Sequence, residues 1–289
     1  MTSGVSDSLL SGRMSTLRFG LYLPPFGPLA DPVALVDLAR RAEIAGWDGV
    51  FLWEHVLAGG PIAVTDPWVT LGAMAGATNR IRLGTMVSPL PRRRPWVLAR
   101  QAGTLSRLSG GRCVLGVGLG ADESGDFSRF GDETDLATRV GMTDEALRIV
   151  DAVWSGAATR HEGRHYHVDL PEGVAEPHRI PVWVAGRLPE VRSAYRAASR
   201  DGVILIGPDQ EPKPEQIACA VTALRANGLA ADRPFDIAVA GNASHAWEEP
   251  KHVDLAGLAE AGASWWMESL IHYDPLDLSL AVVDAGPPR

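Results

Sequence analysis

The sequence predicts a single (β/α)8 TIM barrel, an α/β fold of parallel strands, on three observations. Eight short runs rich in β-branched and aromatic residues recur along the chain, and they are continuously apolar as buried parallel strands are. Stretches with helical periodicity lie between the runs, and 289 residues is a usual length for one such barrel. Two segments break this rhythm: one after the fourth strand (residues 121–134) and one before the fifth (residues 156–180).

Each of the eight apolar runs is predicted to be a strand of the barrel. Parallel strands are covered on both faces by other elements, which explains why polar residues do not alternate along them. In chain order the runs are RFGLYL (18–23), GVFLWE (49–54), IRLGTMVS (81–88), CVLGVGLG (113–120), PVWVAG (181–186), GVILIG (202–207), FDIAVAG (235–241) and ASWWMESL (263–270).

Helix start and stop signals lie between these strands. An aspartate followed by proline supplies the N-cap and the first position of two helices, at Asp31 and at Asp66. Gly46 ends the first of these helices, and Gly110 and Gly111 end a third. Further helices are expected at residues 135–155, 188–200, 214–227 and 249–261.

The composition and the net charge limit which classes of partner the protein is expected to bind. The formal net charge of −8 opposes binding to phosphate backbones and anionic lipids, so neither nucleic acid nor a membrane is expected as a partner. The chain has no apolar run of about 20 residues and no signal-peptide pattern, which favours a cytoplasmic protein. Cys113 and Cys219 are expected to be buried free thiols. We expect a flexible tail at residues 1–15 and one barrel domain at residues 16–289.

An acid and an imidazole follow the apolar core of the second strand. Glu54 and His55 are predicted to be its last residues, and in barrels the carboxyl ends of the strands converge on one bowl where the chemistry takes place. Histidine exchanges a proton near neutral pH, so His55 is a candidate acid–base group. A rim histidine that only binds a loop is the alternative.

Histidines in the second insertion raise the question of a metal. His165 and His167 have HxH spacing, and His161 and Glu162 lie nearby. These residues fall away from the strand ends, and we therefore predict no metal site.

Two other classes of function stay open at this point. Asp122, Glu123 and Glu268 follow or lie in strands, and two facing carboxylates would permit a glycosidase-like hydrolase. A barrel that binds a ligand without catalysis is the third class. Schiff-base chemistry is excluded because the only lysines, at positions 213 and 251, lie in helix-side segments.

Two small-residue segments could leave room for a ligand. The run GVGLG (116–120) is a weak nucleotide signal, but its missing side chains would leave space for a flat ring near Gly118 and Gly120. At Ala185, Gly186 and Arg187 a strand meets a helix start, so free backbone N–H groups and a cation could bind a phosphate. A plain strand-to-helix turn is the alternative.

The chain resembles the luciferase-like family of flavin-dependent oxidoreductases, which includes bacterial luciferase and deazaflavin-dependent dehydrogenases. The resemblance runs from FGLYLPPFG to GASWWMES, and its most specific block is RIRLGTMVSPLPRRRPWVLARQAGTLSRLSGGRCVLGVGLG (80–120). The stretch EALRIVDAVWSG, followed by EGRHYHV and IPVWVAG, is also similar to the family.

The resemblance implies roles for particular positions. His55 matches a histidine near the reactive edge of the flavin, and Glu54 matches an acid that often precedes it. The family's third strand bulges behind the ring, often through a non-proline cis peptide, which corresponds here to Thr85–Ser88 and most closely to Met86–Val87. Gly186 and Arg187 match the turn that binds the cofactor phosphate.

Other positions depart from the family or have two interpretations. Ala121 stands where sugar-phosphate dehydrogenases of the family carry a glutamate, which argues against that particular activity. The arginines at 92–94 could cover a cofactor or lie in solvent, and Trp265 and Trp266 could line a substrate pocket or fill the core.

We therefore predict a cytoplasmic oxidoreductase that uses FMN or the 8-hydroxy-5-deazaflavin coenzyme F420. The first hypothesis is that reduced FMN and oxygen oxygenate a small organic substrate, and the alternative is hydride transfer with the deazaflavin. The resemblance also implies a homodimer.

Overall fold

The computed structural model describes residues 17–173, 179–207, 212–243, 253–270 and 275–288. The predicted tail at residues 1–15 and the first part of the predicted helix at 249–261 lie outside these ranges.

Eight parallel strands close into a barrel, which confirms the predicted fold class. Around the barrel their order is β1-β10-β9-β8-β7-β4-β3-β2, and β5 and β6 form a separate antiparallel pair. The strands are β1 Arg18–Leu23, β2 Gly49–Leu52, β3 Arg82–Pro89, β4 Cys113–Gly118, β5 Thr159–Glu162, β6 His167–Leu170, β7 Val182–Arg187, β8 Gly202–Ile206, β9 Asp236–Gly241 and β10 Trp265–Ser269. The strand β2 ends at Leu52, so Glu54 and His55 lie just beyond it rather than in it.

Helices surround the barrel, and most of them lie where the sequence predicts. They are α1 Pro32–Ala45, α2 Pro67–Ala77, α3 Pro95–Leu108, α4 Leu136–Ser155, α5 Ala194–Ala197, α6 Pro214–Ala226, α7 Leu255–Glu260 and α8 Leu276–Ala285, with 3-10 turns at Gly27–Leu29, Leu90–Arg92 and Ser128–Phe130. The helix α8 has no counterpart among the predicted helices.

The capping signals account for the helix starts. The carboxylates of Asp31 and Asp66 accept backbone hydrogen bonds from Val33 and Val69, which satisfies N–H groups that the first turn leaves free. The C-cap of α1, Gly46, has a φ of +97°, a conformation that only glycine adopts without strain.

The predicted helix at 188–200 is wrong over most of its length. Only Ala194–Ala197 is α-helical. The Leu188–Pro189 peptide bond is cis. Residues 188–193 form a turn above the end of β7, where Ser193 Oγ donates a hydrogen bond to the carbonyl of Ala185 at 2.6 Å.

Large aromatic side chains fill the inside of the barrel. Phe51 stacks on Trp183 at 5.6 Å between ring centroids, and Trp265 lies 5.5 Å from Trp183. Trp266 is also fully buried, but it packs with the outer core between strands and helices. Both tryptophans of β10 therefore belong to the core, and neither lines the bowl.

The second insertion folds into the β5–β6 hairpin, which is fastened to α4. The carboxylate of Glu145 accepts hydrogen bonds from the backbone N–H groups of Arg164, His165 and Tyr166 and lies 3.2 Å from His161 Nε2. Burial opposes ionisation, but these hydrogen bonds together lower the pKa of Glu145 to about 2. The ring of His161 thus has a structural partner in Glu145, and His167 lies 3.8 Å from Glu162. The described ranges contain no group of three or more histidine, cysteine, aspartate or glutamate side chains that could hold a metal ion.

Two further expectations meet the structure here. Cys113 is buried as expected, but Cys219 is exposed on the outer face of α6, where helical periodicity alone does not fix which face is covered. Among the helices of the described ranges, none combines the length and the apolar character needed to cross a membrane.

Candidate active site at the carboxyl ends of the strands

A cavity of about 870 Å³ opens at the carboxyl ends of the barrel strands. Nine of the ten residues predicted for the site line it: Glu54, His55, Met86, Val87, Gly118, Gly120, Ala185, Gly186 and Arg187. Ligand cavities usually measure about 300–1,000 Å³, so this one can hold a tricyclic ring together with a small substrate.

Thr85, the tenth predicted residue, does not line the cavity. Its side chain is fully buried between β3 and β4, and its hydroxyl donates a hydrogen bond to the carbonyl of Gly116 at 3.1 Å. The correction follows from the alternation of side chains along a strand, since Met86 is the next residue and faces the bowl.

A bulge in β3 forms one wall of the cavity. The register between β3 and β4 shifts between Thr85 and Ser88, and the Met86–Val87 peptide bond is cis, as predicted. A Cβ atom at Gly118 would lie 2.7 Å from the Val87 side chain, which is too close for any residue with a side chain. The glycine of β4 therefore allows the bulge to rest against it.

The Glu54 carboxylate is saturated by protein donors. Trp68 Nε1 and Ser88 Oγ donate to Oε2 at 3.0 and 2.6 Å, and Arg93 Nε donates to Oε1 at 2.8 Å. Glu54 thus ties the end of β2 to the bulge of β3, and it has little capacity left to exchange a proton with a ligand.

The partner of His55 is Asp126, a residue that the sequence interpretation did not identify. Asp126 Oδ2 lies 2.5 Å from His55 Nδ1, while Oδ1 accepts hydrogen bonds from the backbone of Val56 and Leu57 and contacts Arg92 at 3.2 Å. Burial opposes ionisation, but the hydrogen bonds from His55 and from the two amides keep the pKa of Asp126 below its usual value. Its position in the first insertion, after β4, was the available signal, because that segment meets the end of β2 on the same face.

The arginine run at 92–94 divides between the protein interior and solvent. Arg92 and Arg93 pair with Asp126 and Glu54, and the Arg92 side chain is only 9% exposed. Only Arg94, which precedes α3, is exposed. These arginines therefore balance the buried acids of the wall.

Two other arginines that line the cavity, Arg139 and Arg187, have no ion pair among the described residues, although the charges of Asp122 and Asp135 act on Arg139 from a greater distance. Arg139 of α4 is buried, with one contact to the carbonyl of Gly120 at 3.3 Å and its guanidinium over the Phe127 ring at 4.6 Å. Its Nε has no hydrogen-bond partner, and within the described ranges no carboxylate pairs with Arg139 or with Arg187. Arg139 is a buried cation without an ion pair and Arg187 is an exposed one, and together they favour an anionic ligand in this part of the cavity.

An aromatic wall lies beside His55. The rings of Tyr22 and Trp53 are 4.9 Å apart and both line the cavity. Burial raises the pKa of Tyr22, although the charge of Arg187 opposes the shift, so its hydroxyl remains a hydrogen-bond donor. Trp53 Nε1 is buried without a partner in the described part of the chain.

A glycosidase-like hydrolase would need two carboxylates that face each other across the cavity, and Glu268 cannot be one of them. Glu268 is fully buried, does not line the cavity, and accepts hydrogen bonds from Trp266 Nε1 and from the backbone of Ala243. The other two carboxylates, Asp122 and Glu123, lie at the cavity from one and the same segment.

The fold is a closed barrel with a bulge in its third strand. Its cavity contains a histidine bound to Asp126 and two arginines without an ion pair among the described residues, and it is large enough for a cofactor. The family model for luciferase-like monooxygenase matches residues 17–262. The chain belongs to the luciferase-like monooxygenase family.

Individual relatives include both deazaflavin and flavin proteins. The F420-dependent glucose-6-phosphate dehydrogenase of Nakamurella multipartita is 34% identical over 184 residues, 60% of this chain and 52% of that protein. The chain therefore spans about half the length of the curated relatives it matches.

Two solved structures share the fold at lower identity. The coenzyme F420-dependent tetrahydromethanopterin reductase of Methanopyrus kandleri has a TM-score of 0.73 at 17% identity, covering 93% of this chain and 96% of that one. The oxygenating constituent of 3,6-diketocamphane monooxygenase from Pseudomonas putida, in complex with FMN, has a TM-score of 0.63 at 23% identity, covering 77% and 66%.

Proposed function

We propose that this protein is an F420-dependent oxidoreductase that transfers a hydride between the deazaflavin coenzyme and a small organic substrate. The observation that carries the proposal is the His55 ring, which binds Asp126 through Nδ1 and has no partner for Nε2 among the described residues. A histidine of this kind can move the proton that accompanies hydride transfer.

The charges around the cavity favour hydride transfer over oxygenation. Oxygen insertion requires a dry pocket that protects a reactive oxygen adduct from water, whereas this cavity is lined by Glu54, Asp126, Arg92 and Arg139 among other charged residues. The deazaflavin, when bound, supplies a two-electron hydride carrier that does not activate oxygen readily.

The residues present fit such a coenzyme. The bulge at Met86–Val87 and the side-chain-free Gly118 and Gly120 would bind the ring, and Arg139 with Arg187 would bind the anionic side chain. The turn after β7 would contribute to the same anion-binding site. This turn closes tightly over the strand, because a Cβ atom at Gly186 would lie only 2.8 Å from the Val191 side chain.

The role of this chain in the reaction is to orient, shield and move one proton. His55 Nε2 accepts the hydroxyl proton when an alcohol carbon loses its hydride, and His55 returns the proton in the reverse direction. The Tyr22 and Trp53 wall excludes water beside it, and Glu54 holds the bulge in position. Because Ala121 replaces the family's glutamate, we do not assign a sugar phosphate as the substrate.

A second candidate is the FMN-dependent monooxygenase that the sequence suggested first. The fold shared with an FMN complex supports it, and the same wall and arginines would bind FMN. We also propose a small-molecule substrate, a homodimer and a cytoplasmic location, each from family resemblance or charge.

Titration of the full chain with F420 and with FMN, without oxygen and followed by fluorescence, tests the proposal. We expect F420 to bind at least tenfold more tightly than FMN. Tighter binding of FMN, together with oxygen uptake when reduced FMN and substrate are present, would establish the second candidate instead.

The His55→Ala variant tests the acid–base role. Turnover of whichever simple alcohol or ketone the wild-type chain accepts should fall by roughly 10²–10⁴-fold, because general acid–base catalysis contributes about that factor. Coenzyme affinity should remain within about twofold. Unchanged turnover would remove His55 from the mechanism.

A further inference from the structure

We propose that Asp126 is a positioning residue that holds the His55 proton on Nδ1 and leaves the Nε2 lone pair open to the substrate. The role of His55 itself rests on the proposed function, but the tautomer does not. Asp126 lies in the first insertion, so this segment, and not only the barrel strands, completes the site.

The contacts of Asp126 leave it no donor role. Its side chain is 1% exposed, and Oδ1 accepts hydrogen bonds from Val56 and Leu57 at 2.7 and 2.9 Å and contacts Arg92 at 3.2 Å. A carboxylate with these donors is ionised and can only accept. The 2.5 Å contact with His55 therefore requires a proton on Nδ1.

The rest of the surroundings do not compete for the ring. The ring centroids of Phe26 and Trp53 lie 5.9 and 6.1 Å from that of His55, and Arg92, which also pairs with Glu54, contacts Asp126 instead. Among the described residues, Asp126 is the acid that pairs with His55. When His55 takes a proton, the same carboxylate stabilises the imidazolium that forms.

A purely structural role for Asp126 is the competing explanation. Its Oδ1 alone would fasten the insertion to the loop after β2, and Asp122 separately ties the insertion to itself by accepting hydrogen bonds from Phe127 and Ser128. The two explanations differ in the function of Asp126 Oδ2. Only the positioning role requires its contact with His55.

The Asp126→Asn variant separates the two explanations. Asparagine keeps an oxygen for the backbone amides but turns an NH2 group toward the ring, so Nδ1 must become the acceptor and the proton must move to Nε2. Long-range ¹⁵N–¹H spectra of the full chain labelled at histidine, recorded at about pH 9 where imidazole is neutral, report the tautomer. The His55→Gln spectrum assigns the signal.

We expect the Nδ1–H form in the wild-type chain, the Nε2–H form in Asp126→Asn, and an unchanged tautomer in Asp122→Ala, the control that loosens the same segment. An Nε2–H signal in the wild-type chain would overturn the proposal even if the variant did not fold. So would an Nδ1–H signal that persists in Asp126→Asn.

Kinetics give the second measurement. Asp126→Asn should lower kcat by roughly 10²–10⁴-fold while the F420 dissociation constant stays within about twofold, because the wrong tautomer blocks proton transfer and not binding. A structural role predicts weaker binding and an equal loss in Asp122→Ala. If the chain does not bind F420, the proposed function is wrong. The NMR measurement then still tests the proposed tautomer of His55.

Discussion

Two parts of the cavity wall differ in how their charges are balanced. On the wall beside β2 and β3, Glu54 and Asp126 are buried acids, and arginines, amides and the His55 ring satisfy them. In the other part, Arg139 and Arg187 form no ion pair in the described part of the chain, and Asp122 and Asp135 act on Arg139 only from a greater distance. The acids of the first part are neutralised without a ligand, whereas the two arginines of the second part have no ion pair among the described residues.

This difference indicates that the two parts of the wall have different roles, one in proton transfer and the other in cofactor binding. Groups that take part in proton transfer need a fixed geometry before the substrate arrives, since a preorganised site requires no rearrangement during the reaction. Groups that bind a cofactor lower its free energy most when they have no competing partner in the protein. The predictions below test each wall in turn.

The largest effect on stability is expected for Glu54→Ala. Removing a buried carboxylate leaves Arg93 and the Trp68 N–H without their acceptor, and breaking a buried pair from one side typically costs about 3–5 kcal/mol. Urea denaturation followed by circular dichroism measures the loss.

The matched control is Glu54→Gln, which keeps an oxygen for Trp68 and Ser88 and should lose clearly less stability than the alanine variant. If both variants unfold at the same urea concentration as the wild-type chain, the β2 wall is not preorganised by this network.

A smaller effect, dependent on pH, is expected from Glu145, which lies on the same helix as Arg139 but is saturated with donors. Its pKa is about 2 in the folded protein, lower than in the unfolded chain, so its stabilising contribution is complete above about pH 4.5 and disappears as pH falls toward 2. Between pH 6 and pH 3 the wild-type chain should lose roughly 2 kcal/mol more stability than Glu145→Gln.

Urea denaturation of both chains across that range measures this difference. Other carboxylates titrate in the same window, but they are common to both chains and cancel. If the free energy of unfolding falls with pH equally in the two chains, an ionised Glu145 does not stabilise the attachment of the hairpin.

The smallest effect on stability is expected for Arg139→Met. The variant loses a cation over the Phe127 ring and one weak hydrogen bond, but it also removes a buried cation without a partner, so unfolding should change by no more than about 1 kcal/mol. A much larger loss of stability would mean that Arg139 is balanced inside the protein, and the contrast between the walls would disappear.

The sequence predicts the barrel well because its signals are local. Buried runs, N-cap aspartates and C-cap glycines each act within a few residues, and together they leave few topologies. The family resemblance also locates the Met86–Val87 cis peptide, which no local signal would reveal.

The sequence does not predict contacts that depend on distant segments. Asp126 contacts His55 across 71 positions, and Arg139 becomes a candidate only once the structure shows it buried with its Nε unpaired. The helix predicted at 188–200 is wrong over residues 188–193, because this segment turns back onto the end of β7, where Ser193 Oγ donates to the carbonyl of Ala185. The prediction that Thr85 lines the cavity is wrong, because successive side chains along a strand point to opposite faces of the sheet.

The most direct test of the account compares binding of F420 with binding of its phosphate-free form, in the wild-type chain and in Arg139→Met. A hydrogen-bonded charge on a ligand contributes about 1.5–3 kcal/mol, so the wild-type chain should prefer the phosphate-bearing coenzyme by roughly 10–100-fold. Arg139→Met should lose most of that preference while it binds the phosphate-free form as the wild-type chain does. An undiminished preference in Arg139→Met would contradict the assignment of this wall to the cofactor's anion.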